Sequence, residues 1–85
     1  MSFGGKGKCP SYLQSSINMA IHQFGVIVIA SAGNDASDTS EYFPANCKGV
    51  ITVAASTFEG YIAPYSNVGT EVVISAPGGS EQYPI

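Results

Sequence analysis

The stretch Val26-Ile-Val-Ile-Ala-Ser-Ala-Gly-Asn-Asp35 decides how this chain folds. It opens with five apolar residues, Val26–Ala30, four of them β-branched, a pattern typical of a strand buried on both faces of a parallel sheet. The run then ends at small residues and presents the amide side chain of Asn34. Because ligands of open α/β sheets bind outside the carboxyl ends of strands, Asn34 is a candidate hydrogen-bond donor to a ligand. A Gly-Asn pair also occurs in plain turns, so this stretch alone leaves both readings open.

A helix is predicted directly before this strand. Ser11 and Gln14 fit a capping box at its start, and Gly25 stands where a left-handed cap would end it. The apolar stripe at helical spacing consists of Leu13, Ile17, Ala20, Ile21 and Phe24. A helix that leads into a buried strand is the second half of a β-α-β unit, so the sequence predicts an α/β fold.

Three further segments complete the predicted secondary structure. Val50–Ala55 and Val72–Ile74 are rich in β-branched residues and are predicted to be strands. The glycine- and lysine-rich segment Ser2–Pro10 is predicted to be a loop, and its spacing fits neither a phosphate loop nor a dinucleotide fingerprint.

The composition favours a slice of a larger domain over a complete small one. Charged residues make up 11% of the 85 residues, less than half the ordinary fraction of about 25%. A free-standing domain of this size has a large surface relative to its volume and should carry more charge. A small secreted domain with a neutral surface is the alternative.

Charge and hydropathy exclude two classes of partner. The net charge is −3 and the chain has three Lys and no Arg, which argues against nucleic acid and against an anionic membrane surface. The apolar runs are far shorter than the roughly 20 residues that span a bilayer. Met1 is not followed by a basic and then a long apolar region, so no signal peptide is expected within the chain.

Several short motifs together carry a family resemblance. In chain order they are Ser2-Phe-Gly-Gly5, the Val26–Asp35 stretch, Phe43-Pro-Ala-Asn-Cys47, Gly49-Val-Ile-Thr-Val-Ala-Ala55, Tyr65-Ser-Asn-Val-Gly69 and Ser75-Ala-Pro-Gly78. This order, with a helix between the first two, resembles the middle of a subtilase, the family of subtilisin-like serine endopeptidases (peptidase S8). The resemblance implies a three-layer α/β sandwich with a mostly parallel sheet, of which residues 1–85 would be a central portion of the catalytic domain.

The resemblance also implies a set of site residues. Asn34 matches the Asn whose side chain stabilises the oxyanion, and in subtilisin itself the loss of this donor costs about 10²–10³ in kcat. One wall of the primary specificity pocket is matched by Ser2, Phe3 and Gly4, and the opposite wall by Ser31, Ala32 and Gly33. Tyr42 falls near the far end of the pocket, and Tyr65 matches an aromatic on the leaving-group side.

The two cysteines, the single histidine and the last strand bear on disulfide bonding and metal binding. Two Cys without a nearby His make a poor zinc site, and composition leaves their pairing open. The resemblance implies a disulfide bond between Cys9 and Cys47, as in some secreted bacterial subtilases. Many family members bind a cation with help from an acid in the last strand, where this chain has Val73, so no metal and no cofactor is expected. His22 shares the polar face of the predicted helix and should be exposed.

The chain departs from the family pattern at the catalytic triad. A subtilase needs Asp, His and Ser in that chain order, and this chain contains none of the three motifs; turn chemistry accounts for Asp35 and Asp38. We therefore expect part of a secreted serine endopeptidase that hydrolyses polypeptide substrates, inactive alone and completed by the remainder of its catalytic domain. The alternatives are a catalytically inactive subtilase-like relic or interaction module and, third, an unrelated small disulfide-stapled binding domain.

Overall fold

The computed structural model describes residues 1–84. Their elements are, in chain order, β1 (Gly5–Lys6), α1 (Ser11–Phe24), β2 (Ile29–Ser31), a 3₁₀ helix (Thr39–Glu41), β3 (Tyr42–Phe43), β4 (Ile51–Ser56) and β5 (Val72–Pro77). β2, β4 and β5 form a parallel sheet in the order β2-β4-β5. The predicted α/β class with a parallel sheet is confirmed.

Both ends of α1 lie where the sequence predicts them. The helix begins at Ser11 and ends at Phe24. Gly25 adopts the left-handed conformation with φ 65°, and its N–H donates to the Ile21 carbonyl at 3.1 Å. This is the glycine cap that the sequence predicts, because a side chain would be strained at such a φ.

The predicted capping box at the start of α1 is wrong. The N-cap is Pro10, and no side chain caps the first turn. Gln14 instead reaches the segment before β4, where its Nε2 donates to the Lys48 carbonyl at 3.0 Å and its Oε1 accepts from the Lys48 N–H at 2.8 Å. The contact with Lys48, which is 34 residues away, is favoured over the local cap because it satisfies both the donor and the acceptor of the Gln14 amide.

The apolar run before the site is shorter as a strand, and less buried, than predicted. β2 covers only Ile29–Ser31, although the Val28 carbonyl still accepts from the Ile51 N–H at 2.8 Å. Ala30 is buried, but Ile27 is 74% exposed. The prediction of burial on both faces is therefore wrong for residues 1–84, in which no element covers the outer side of this run.

The other strands differ from the predictions in their bounds. β4 is shifted by one residue from Val50–Ala55, and β5 continues past Ile74 because its backbone stays paired with β4 as far as Pro77. The predicted loop Ser2–Pro10 contains the short strand β1, which pairs antiparallel with β3. Two-residue strands leave no hydrophobic pattern, so the sequence could not reveal them.

The core is built mostly from small side chains. Its buried apolar residues are Ile17, Ala30, Ala32, Ala45, Cys47, Ala54 and Ala63. The disulfide bond between Cys9 and Cys47 is present, with Cα atoms 5.2 Å apart, and it joins the loop before α1 to the segment before β4. The predicted pairing is confirmed. Among residues 1–84, no helix has the length and apolar character needed to cross a bilayer.

Candidate active site

A cleft of about 300 Å³ opens beside the carboxyl end of β2. All eight residues predicted to be the oxyanion donor or parts of the specificity pocket line it: Ser2, Phe3, Gly4, Ser31, Ala32, Gly33, Asn34 and Tyr42. The rest of its lining is Gly5, Lys6, Asp35, Phe43, Pro44 and Ala45. We call it the two-walled cleft, since the fold brings the segments Ser2–Gly4 and Ser31–Gly33 to face each other across it.

The first wall, Ser2–Gly4, is held by its neighbours on both sides. On one side, the Ser31 N–H donates to the Met1 carbonyl at 3.2 Å, so the wall starts against β2. On the other side, the antiparallel pair β1–β3 places Gly5 opposite Phe43. A Cβ at Gly4 would collide with the Phe43 carbonyl oxygen, so this close approach requires glycine.

The second wall, Ser31–Gly33, continues the sheet. The Ala32 N–H donates to the Val53 carbonyl of β4 at 2.8 Å, so the wall is anchored one residue beyond β2. Gly33 has φ 102°, which turns the chain out of the sheet, and Asn34 follows as an exposed residue. The exposed amide side chain thus stands on a rigid support at the edge of the two-walled cleft.

A second cleft of about 390 Å³ runs along the carboxyl ends of the parallel strands. It shares five lining residues with the two-walled cleft: Ser2, Ser31, Ala32, Gly33 and Asn34. Ala55 of β4 and Pro77 of β5 lie on its far side. Asn34 therefore borders both clefts, in a position to contact a molecule that extends from one into the other.

Sequence reasoning missed Asn67, which is fully buried behind the second wall. Its side chain and backbone form hydrogen bonds to the loop that carries Asn34. The sequence held one signal, since the polar pair Ser66-Asn67 stands between apolar residues Ala63 and Val68. Nothing local in that pair indicates which segment it contacts.

Tyr65 and His22 lie outside the two clefts. The Tyr65 hydroxyl donates to the Gly79 carbonyl at 2.9 Å, and its own carbonyl accepts from the Ala36 N–H at 3.0 Å. Tyr65 thus links the turn after β5 to the loop after β2. His22 is exposed on α1, as predicted.

The acidic side chains near the site belong to the segment after Asn34 and to its contact with Glu71. The Ser40 N–H donates to the Asp38 carboxylate at 2.8 Å and holds the pKa of that carboxyl below its ordinary value. Thr39 is fully buried, and its hydroxyl donates to Glu71 at 2.5 Å. In the part of the chain that the structure describes, no three His, Cys, Asp or Glu side chains lie close enough to share a metal ion.

Fold and cleft define a parallel α/β protein with its candidate site at the carboxyl end of the sheet. Its sequence matches the model of the subtilase family, peptidase S8, over residues 1–85, and the chain belongs to this family. It is 51% identical over 80 residues to an extracellular protease of Xanthomonas campestris pv. campestris, covering 94% of this chain and 14% of the relative. It is 38% identical over 78 residues to an extracellular basic protease of Dichelobacter nodosus, covering 92% and 13%.

Solved structures give the same relationship. A protease of Pseudoalteromonas arctica PAMC 21717 superimposes with a TM-score of 0.92 at 43% identity, over 95% of this chain and 24% of the other. A psychrophilic subtilisin-like protease of Pseudoalteromonas sp. AS-11 superimposes with a TM-score of 0.80 at 35% identity, over 92% and 17%. The subtilisin-like fold is confirmed, and the chain spans less than a quarter of the length of these relatives.

Proposed function

We propose that this chain is a central part of the catalytic domain of a secreted serine endopeptidase. It contributes Asn34 as the oxyanion donor and both walls of the specificity pocket. One observation carries the proposal: the eight residues to which the family resemblance gives these roles line a single cleft. Membership of the subtilase family supplies the class of reaction.

The chemistry assigns Asn34 a role in the transition state. In such an enzyme, Ser attacks the peptide carbonyl, His takes the Ser proton, and Asp orients the His. The carbonyl oxygen then gains negative charge, and a fixed amide donor beside it stabilises the transition state more than the ground state. Asn34 is suited to this because it is exposed to the cleft and lies three residues beyond the end of β2. The triad comes from the remainder of the catalytic domain.

The two walls suit an extended polypeptide substrate. Gly4 and Gly33 carry no side chains, so a substrate backbone can approach both walls closely. Secretion is supported by the Cys9–Cys47 disulfide, which requires an oxidising compartment, and by relatives that are named extracellular proteases.

The first test is the sequence of the source locus on both sides of this reading frame. We expect an open frame upstream that contains the triad Asp and a His-Gly-Thr-like segment, and one downstream that contains Gly-Thr-Ser. Stop codons in the flanks, or the absence of those motifs, would instead identify a non-catalytic relic or interaction module.

The second test is Asn34→Ala in the protein encoded by the whole frame. We expect kcat on a peptide substrate to fall by about 10²–10³, as in subtilisin, with KM little changed, because the lost hydrogen bond forms only in the transition state. The matched control is Asn18→Ala on the exposed face of α1, which should leave both constants unchanged. Titration with a serine-directed covalent inhibitor counts the folded sites in each preparation. An unchanged kcat for Asn34→Ala would rule out the oxyanion role.

A further inference from the structure

Asn67 has the largest of the fully buried side chains in residues 1–84, and it is polar; its exposed fraction is 0%. Its Nδ2 donates to the Ala32 carbonyl at 2.9 Å, and its Oδ1 accepts from the N–H groups of Asp35 at 3.0 Å and Ser37 at 2.8 Å. Its backbone N–H donates to the Gly33 carbonyl at 3.0 Å. Four hydrogen bonds from one residue thus hold both ends of the segment 32–37, which we call the donor loop.

The bonding pattern requires an amide side chain. One end of Asn67 donates and the other accepts, whereas a carboxylate only accepts and an aliphatic side chain does neither. Because the residue is fully buried, water cannot replace a lost partner, and the loop groups would be left unpaired. Asn67 therefore stabilises this particular conformation of the donor loop, and an apolar side chain of similar volume could not replace it.

The donor loop depends on this support because its backbone is irregular. Gly33 has φ 102° and Ala36 has φ 50°, and an alanine in the left-handed region is held there only by its surroundings. A Cβ at Gly33 would collide with Nδ2 of Asn67, so the two residues are fitted to each other. Asn34 lies between these two turns of the backbone, and Asn67 bonds to the residues on either side of it.

We infer that Asn67 is the positioning residue for Asn34. The inference rests on the proposed function, since it assumes that Asn34 donates to the oxyanion. Asn67 lines neither cleft and acts through the donor loop. A transition-state donor must be held within about 0.5 Å of its productive position, and a misplacement of about 1 Å can cost 10²-fold in rate.

The test uses the protein encoded by the whole frame and two substitutions, Asn67→Asp and Asn67→Ser. Asn67→Asp keeps the acceptor for Asp35 and Ser37 but loses the donor to Ala32, and Asn67→Ser shortens the side chain. The control is Thr52→Val, which removes another fully buried polar group, the hydroxyl that donates to the Ala45 carbonyl at 2.8 Å, without touching the donor loop. Rates are normalised to sites titrated with a serine-directed inhibitor.

For both Asn67 variants we expect kcat to fall by about 10- to 100-fold while KM stays within about twofold, because only the transition-state contact is displaced. Thr52→Val should lower the unfolding temperature but not kcat per titrated site. In the Asn34→Ala background, Asn67→Asp should cost less than about threefold further, because residues that act through one contact are not additive.

Three results would overturn the inference. The first is full kcat per titrated site in both Asn67 variants, and the second is a loss that adds fully to that of Asn34→Ala. The third is the absence of any titratable site in both variants while Thr52→Val yields sites, which would make Asn67 a folding residue only. An unchanged kcat in Asn34→Ala alone would mark the failure of the proposed function itself, and the inference would fall with it.

Discussion

Two regions of the molecule are stabilised in opposite ways. The first is the carboxyl edge, by which we mean the carboxyl ends of β2, β4 and β5 with the loops that follow them, and the second is the outer surfaces of the sheet and helix. At the carboxyl edge, polar groups are satisfied inside the segment, and Asn67 and Thr39 are buried with their hydrogen bonds made. On the outer surfaces, large apolar side chains lie in the open, including Phe24 at 71% and Val73 at 69% exposure. The loops of the candidate site are therefore ordered by contacts within residues 1–84, whereas the outer apolar surfaces have no cover there.

The largest effect is expected when residues 1–85 are expressed alone, with nothing packed against their outer apolar surfaces. Residues 1–85 expressed alone should be insoluble or unfolded, because exposed apolar side chains and the open edges of β2 and β5 favour aggregation. Size-exclusion chromatography and a thermal melt followed by circular dichroism measure this. A cooperative transition from a soluble monomer would contradict the expectation and show that the carboxyl edge alone can hold the fold.

A matched variant sharpens this test. Ile27→Thr with Val73→Thr reduces the apolar character of two outer positions and leaves the carboxyl edge untouched. The soluble fraction of the 85-residue chain should rise. If it does not, then exposed apolar surface is not the cause of the insolubility.

An intermediate effect is expected at the disulfide, which lies between the two regions. In the whole protein, Cys9→Ser with Cys47→Ser should lower the free energy of unfolding by about 4 kcal/mol, since the bond closes a long loop. Denaturant titration measures the loss. KM should rise more than kcat falls, because the Cys47 N–H donates to the carbonyl of Pro44, which lines the two-walled cleft, at 3.0 Å. The donor loop keeps its own hydrogen bonds. Wild-type protein reduced with a thiol is the control. A fall in kcat as large as the rise in KM would show that the disulfide also positions Asn34.

The two regions also differ in how far sequence alone predicts them. Local signals give α1 within a residue at each end, and the strand-to-loop change locates Asn34 beside the cleft. The burial of the Val26–Ala30 run could not be predicted, because it depends on what covers the run and not on its composition. The roles of Gln14 and Asn67 could not be predicted either, because their partners lie 34 and 30 to 35 residues away.

The smallest expected effect is a pH dependence at Asp38, at the start of the 3₁₀ helix that follows the donor loop. The Ser40 N–H lowers the pKa of this carboxyl in the folded protein below its ordinary value of 3.8. The folded state therefore favours the carboxylate, and its stabilising contribution is present above pH 3.8 and lost as the pH falls through the folded pKa. Asp38→Asn keeps an oxygen acceptor but does not titrate, so its Tm in the whole protein should fall less than that of wild type between pH 5 and pH 2.

The Tm measurement contains its own control. Between pH 6 and pH 8, where Asp38 does not titrate, the difference in Tm between wild type and Asp38→Asn should stay constant. The effect should be small because Asp38 is exposed and its charge is screened by solvent. Parallel Tm curves down to pH 2 would show that the capping bond is not formed in solution. The hydrogen bonds that order the loops at the carboxyl edge would then end at the contact between buried Thr39 and half-buried Glu71. The 3₁₀ helix would then count as part of the outer surface.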